Sequence, residues 1–190
     1  MTFFQFIYCL KPWAQLLLCA AGWTVWTVVM ILLYRKRALR ACMTWIALAL
    51  TLALIVYQTL LLRSGGARRL ELRPFVTWLK ALEEDEYYRS MALNAILFTP
   101  LGLASSTILL RRFSAGKSVL YSVLLGLLLS ITVETAQYVF ALGIAETDDL
   151  IMNAVGTFAG AAHIWIVRWA EKKLHGRTQK TDAGQKGIII

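Results

Sequence analysis

Five apolar stretches, at about Trp13–Tyr34, Ala41–Leu62, Ser90–Leu110, Ser118–Ala141 and Asp148–Trp169, constrain this chain more than any other feature. Each approaches the roughly 20 residues that a helix needs to cross a hydrocarbon core. Inside such a core every backbone N–H and C=O must be paired within the protein, which for segments of this length means helix. The expected fold class is therefore all-α: an integral membrane helical bundle of about five transmembrane helices with an amphipathic outer loop. Composition agrees, because only 16% of residues are charged, against roughly 25% in an average soluble domain. A formal net charge of +9 would point to nucleic acid in a soluble protein. Here the basic residues stand at the ends of apolar runs, where they orient helices and meet anionic headgroups. The expected partner is the membrane, and nucleic acid is not expected.

Residues 1–174 read as one transmembrane domain, and residues 175–190, polar and glycine-containing, as a flexible cytoplasmic tail. Lys11-Pro12 interrupts the first run. Pro12 suits a first helical turn, where its missing N–H is no loss, so residues 3–10 read as an interfacial prelude. No basic region precedes the first apolar stretch, and no removable signal peptide is expected. Cys9, Cys19 and Cys42 lack metal-ligand spacing and read as small apolar fillers.

The positions of Lys and Arg set the expected orientation. With five spans, the turn Arg35-Lys36-Arg37…Arg40, the turn Arg111-Arg112…Lys117 and the tail share one side, with thirteen basic residues; the other side has seven. The first side is expected to be cytoplasmic, with the N-terminus outside and the C-terminus inside. The 63–89 loop then lies outside. Its Leu70, Leu72, Phe75, Val76, Trp78, Leu79 and Leu82 alternate with charge, as in an amphipathic segment on a leaflet. Two readings stay open for it, a surface helix anchored by Trp78 or a lid over a site. Pro74 makes Arg73 extended.

Polar residues inside these spans are costly and mark candidate sites. Gly126, Ser130, Glu134, Gln137 and Ala141 fall on one helical stripe of the fourth span, and Asp149, Asn153, Gly156, Gly160 and His163 on one face of the fifth. Gly156 and Gly160 form a small-xxx-small pair that permits close helix approach. On the third span Asn94 begins a stripe through Leu97 or Phe98, Leu101 and Ser105, while Pro100 and Gly102 are expected to kink the helix. At about 1.5 Å per residue, Asn94, Glu134, Gln137 and Asn153 lie within roughly 10 Å of the outer ends of their spans, with Asp148 and Asp149 at the rim. Arg73 is the expected countercharge. His163 lies toward the other side and reads as a packed histidine.

Glu134 is the strongest functional candidate, since a neutral glutamine would meet a packing need without a carboxyl group. Asp148 and Asp149 also suit helix N-caps. The candidate catalytic set is Glu134, Asp148 and Asp149, and the candidate substrate-binding set is Arg73, Asn94, Gln137 and Asn153. Three chemistries fit: general acid and base from unlike carboxylates, hard oxygen ligation of Mg²⁺ or Ca²⁺, or hydrogen bonding of a polar lipid headgroup. No nucleophile with a nearby base and no phosphate-cradling glycine loop is evident. The expectation is no cofactor and no bound metal.

Four pieces of sequence resemble the VanZ-like family of small bacterial membrane proteins. They are Leu72-Arg73-Pro74-Phe75; Asn94 through Gly102, reading NAILFTPLG; Ser130 through Gln137 with its Glu-x-x-Gln; and Asp148-Asp149-Leu150-Ile151-Met152-Asn153 followed by Gly156 and Gly160. They cover about residues 70–165, and the first two spans match only in hydrophobicity. Many relatives of that family carry an arginine and a further aspartate before the Asp-Asp pair, where Gly143 and Glu146 stand here, and a Gly…Glu-x-Asp-Asp form also occurs in it. The resemblance implies a multi-pass protein of the bacterial cytoplasmic membrane that influences cell-envelope components and susceptibility to glycopeptides such as teicoplanin, whose targets lie outside the membrane. The expected partner is a lipid or lipid-linked envelope precursor. An alternative is a membrane-embedded enzyme acting on a lipid headgroup or isoprenoid-linked cell-wall precursor through an acid/base carboxylate.

Overall fold

Helix boundaries follow the breaks in hydrophobicity. The computed structural model describes residues 10–63, 65–66 and 68–186; Cys9 and nearly all of the prelude expected over 3–10 lie outside the described residues. Helix α1 spans Pro12–Leu32 and starts on its proline. Helix α2, Arg37–Val56, widens in its last turns into a π-helical segment over Tyr57–Leu61. A three-residue strand β1 (Arg69–Glu71) and a short helix α3 (Val76–Ala81) follow. Then come α4 (Asp85–Leu109), α5 (Ala115–Val139), strand β2 (Ile144–Glu146), α6 (Thr147–Ala161) and α7 (His163–Lys186).

Five segments are long and apolar enough to cross a membrane: Trp13–Leu32, Arg37–Leu61, Asp85–Leu109, Ala115–Val139 and Thr147–Leu174. The fifth joins α6 to the first half of α7 across a one-residue break at Ala162. This is the all-α membrane bundle expected from the five runs. Backbone helix continues to Lys186, beyond Leu174, where the composition suggested a flexible tail; that stretch carries Gly176 and Gly184 but no proline to stop a helix. Helix α4 also passes through Pro100 as one uninterrupted element.

Helix α4 is the hub. Of its 18-residue apolar window 61% is buried, against 17% for each of the first two spans, so its neighbours wrap it while α1 and α2 keep most of their surface outward. The tightest seam joins α4 to α6. A Cβ placed at Gly156 would overlap the Ala95 carbonyl, one at Gly160 the Thr99 carbonyl, and one at Gly102 the Thr157 carbonyl. Missing side chains on both helices thus let backbone meet backbone, where packing rather than water-driven burial holds membrane helices together. Two apolar clusters complete the interior. Ile55, Leu97, Phe98, Leu101 and Val133 join α2, α4 and α5; Met30, Val119, Ala161, Ile164 and Val167 join α1, α5, α6 and α7.

The small sheet ties two loops together. Strands β1 and β2 run parallel, with Arg69 opposite Ile144, Leu70 opposite Ala145 and Glu71 opposite Glu146. The loop after α2 is thereby held against the turn that leads into α6.

Candidate functional site

The polar stripes meet at this end of the bundle. Glu134 and Gln137 on α5, Asp148 and Asp149 in the first turn of α6, and Asn153 one turn later are all buried, and Asn94 on α4 is half-buried. Asn94 Nδ2 donates to Asp149 Oδ1 at 2.5 Å. Glu134 Oε2 accepts from the Glu146 backbone N–H at 3.1 Å. Asn153 Nδ2 donates to Ser130 Oγ at 2.8 Å. Gln137 Nε2 donates to the Thr59 carbonyl in the π-helical segment at 3.1 Å, so the widened turn of α2 supplies an acceptor to the cluster. Among the described residues, neither Glu134 Oε1 nor Asp149 Oδ2 accepts a hydrogen bond.

Asp148 has a different task. Its Oδ1 accepts from the Phe75 N–H at 2.6 Å and its Oδ2 from the Thr77 N–H at 2.7 Å. Both amides lie at the start of α3, where Phe75 takes a left-handed backbone (φ 67°) that bulky side chains rarely adopt. The N-cap of α6 is Glu146, and Asp148 serves instead as a cap delivered in trans to α3. Thr77 Oγ1 adds a bond to Glu146 Oε2 at 2.7 Å. With the β1–β2 pairing, these contacts strap the 68–82 segment over the acidic turn. Its apolar side chains face away, with Leu72 and Leu79 well exposed. The loop therefore combines the two expected forms: it covers the cluster and presents an apolar outer surface.

Arg73 does not reach the cluster. Its side chain is 82% exposed and pairs with Glu71 at 3.1 Å, because Glu71, two residues earlier, captures the guanidinium outside the strap. The hydrogen bond from Arg73 holds the Glu71 carboxyl below its ordinary range. The cation beside the cluster is Arg63, at the end of the second span. Arg63 Nη1 donates to Gln137 Oε1 at 3.3 Å; among the described residues it makes no ion pair with Glu134 or Asp149. Arg63, Thr77 and the Thr59 carbonyl are the participants that sequence reasoning missed. Arg63 carried a usable signal, since it is the one charge that directly ends an apolar run on this side; Thr77 and a backbone carbonyl carry none.

His163 is packed, as expected. Nδ1 lies 2.9 Å from the Gly160 carbonyl, which can only accept, so Nδ1 holds a proton; Nε2 lies 3.1 Å from Thr107 Oγ1. Among the described residues Asn153 Oδ1 is buried without a partner. Among the described residues no three His, Cys, Asp or Glu side chains converge as a metal site, because Asp148 is committed to amides and Asp149 to Asn94. Two cavities lie elsewhere. One, about 280 Å³ and mainly apolar, runs between α1 and α4 past Trp23, Trp26 and Pro100. The other, about 500 Å³, opens at the far end between Arg37, Arg40, Arg111 and Arg168.

A family model described as VanZ/LLP1 matches residues 38–168. The match takes in α2 as well as the residues that carried the resemblance, so the second span belongs to the shared unit. No curated protein and no solved structure matches the chain.

Proposed function

Since the chain belongs to the VanZ/LLP1 family and is a multi-pass membrane protein, we propose that it sits in the bacterial cytoplasmic membrane with its N-terminus outside and its C-terminus in the cytoplasm. There it engages a lipid or lipid-linked envelope precursor in the outer leaflet and so changes susceptibility to glycopeptides such as teicoplanin. One observation carries this reading. Among the described residues, Glu134 and Asp149 each keep a carboxylate oxygen without a hydrogen-bond partner, under a loop strapped down by Asp148. Hydrogen-bond capacity left open in such surroundings suits a polar headgroup with both donors and acceptors. The strap must lift to admit it. Its exposed Arg73 and apolar face meet the headgroup region first.

The test is growth under teicoplanin of cells making the wild-type chain, Glu134→Gln or Asp149→Asn at matched membrane levels. Protection lost in both variants is expected, and full protection in both removes the cluster from the mechanism.

The same open carboxylate oxygens favour a second reading, an enzyme acting on a lipid headgroup or isoprenoid-linked precursor with Glu134 as acid/base, Asp149 as its partner and Asp148 holding the cover. Profiles of lipids and cell-wall precursors separate the two. A covalent change present with the wild-type chain and absent with Glu134→Gln indicates catalysis. Protection without any such change indicates binding.

A further inference from the structure

The far end of the bundle holds a cavity that this reading does not use. Its wall is contributed by the α1–α2 turn and α2 (Tyr34, Arg37, Arg40, Trp45), by the end of α4 (Arg111) and by α7 (Arg168, Glu171). Four arginines face one carboxylate. Glu171 Oε1 lies 2.5 Å from Arg40 Nη1 and Glu171 Oε2 lies 3.8 Å from Arg168 Nη1. With side-chain exposures of 15% and 14%, Arg40 and Glu171 form a fastened pair in the wall. Neither Arg37 nor Arg111 makes an ion pair with the described residues. Both are exposed at the cavity's edge. The lining therefore carries an excess of three positive charges, arranged by one acidic residue that bridges two of them.

We propose that this cavity binds the phosphate-bearing headgroup of an anionic lipid. Planar guanidinium groups match phosphate oxygens in forked geometry. Basic pockets between membrane helices at a positively charged end are suited to such headgroups. The location selects lipid over free phosphate. Trp45 on the cavity wall and Trp169 one residue after Arg168 are 54% and 63% exposed, placing indole rings at the level where a membrane interface belt lies. Leu39 and Ile46, beside the wall residues of α2, face outward as well. A free anion needs no such apolar margin, whereas a phospholipid whose chains lie along α2 does. Thr44, within the wall, is buried and gives its hydroxyl to the Arg40 carbonyl, so the charged donors for the ligand are the arginines.

The experiment uses the full-length chain in detergent micelles and native mass spectrometry, with dioctanoyl phosphatidylglycerol, dioctanoyl phosphatidylcholine and inorganic phosphate as probes. Phosphatidylglycerol is expected to bind more tightly than phosphatidylcholine, with inorganic phosphate unable to displace it at equal concentration. At a per-charge attraction typical of basic residues at anionic surfaces, Arg37→Gln with Arg111→Gln should weaken phosphatidylglycerol about 30-fold. Arg112→Gln, a neighbouring exposed arginine outside the lining, should leave it unchanged. These substitutions remove no ion pair among the described residues, and thermal unfolding in the same detergent should stay at the wild-type temperature. The Arg37→Lys, Arg111→Lys variant, which keeps the charge, should retain most of the binding. Equal binding of the two lipids, undiminished binding in the double glutamine variant, or an equal loss in Arg112→Gln overturns the proposal. Displacement by inorganic phosphate at equal concentration overturns the assignment to lipid.

Discussion

Asp148 alone makes two of the bonds that hold the strap over the carboxylate cluster, and Asp148→Asn tests their weight with almost no change of shape. Both Asp148 oxygens accept backbone N–H groups of the loop, from Phe75 at 2.6 Å and from Thr77 at 2.7 Å. An asparagine keeps one acceptor oxygen and turns an NH₂ group toward the other amide. One charge-assisted bond is lost and donor then faces donor at a buried residue. Hydrogen bonds to charged groups contribute about 1.5–3 kcal/mol each, so the open state of the strap should become roughly 10- to 150-fold more populated, at 1.4 kcal/mol per factor of ten. Hydrogen–deuterium exchange of the chain in lipid nanodiscs reads this directly. The peptide covering Phe75 and Thr77 should exchange faster by that factor, while the buried centre of α4 keeps its protection. Unchanged exchange in the loop refutes the clamp. Equal acceleration in α4 refutes it too, since the substitution would then loosen the whole bundle.

Gly156→Ala brings a Cβ onto the Ala95 carbonyl; backbone cannot rotate away, and overpacking of this kind should cost about 1–3 kcal/mol, lowering the unfolding temperature in detergent. Gly116→Ala, with nothing within 4 Å of the new atom, is the neutral control. Arg63→Gln should lower the unfolding temperature and remove teicoplanin protection, whereas Arg73→Gln, outside the strap, should do far less; equal effects would return the countercharge role to Arg73. Glu71 has a depressed carboxyl pKa through Arg73, so its contribution is present above the ordinary carboxylate range and fades only as pH falls through the lowered value. Because that pair is solvent-exposed and screened, Glu71→Gln should leave the unfolding temperature unchanged between pH 5 and pH 8. Single cysteines at Ile144 and Ser114 should label with a membrane-impermeant reagent from outside and from inside respectively; the reverse pattern inverts the proposed orientation.

Periodicity made the helical part of the site legible. A stripe such as Ser130, Glu134, Gln137 has only one way to face inward on a helix, and Gly156 with Gly160 marks the face that must approach a neighbour. Those residues are buried together as the spacing implies. The strap was not legible, because Asp148 binds backbone amides more than seventy residues away, and an amide acceptor leaves no mark on residue type. The same holds for the β1–β2 pairing, whose strands are three residues each. Arg73 misled for a local reason: proximity in sequence to Pro74 said that it was extended, but not that Glu71 would turn it outward. The basic cavity draws on three distant segments whose arginines, read along the chain, had only an orienting role.

Arg63 and Gly143 are fitted to each other beside the carboxylate cluster. Here Gly143 has φ +148°, a backbone that side chains rarely adopt, and a Cβ added to it would lie 3.0 Å from Arg63 Nη1. The space beside position 143 is thus already taken by a guanidinium, delivered from the end of α2 instead of from the turn itself. The glycine and Arg63 fit each other: a side chain at 143 would crowd the cation, and loss of the cation would leave Gln137 Oε1 without its guanidinium donor. This explains how a cluster built around acidic residues keeps a countercharge although the turn has none. The end of α2 takes part too: Thr59, in the π-helical widening, and Arg63, just beyond it, hold the two ends of the Gln137 amide. The second span is then part of the site's construction, which agrees with a family match that begins at residue 38.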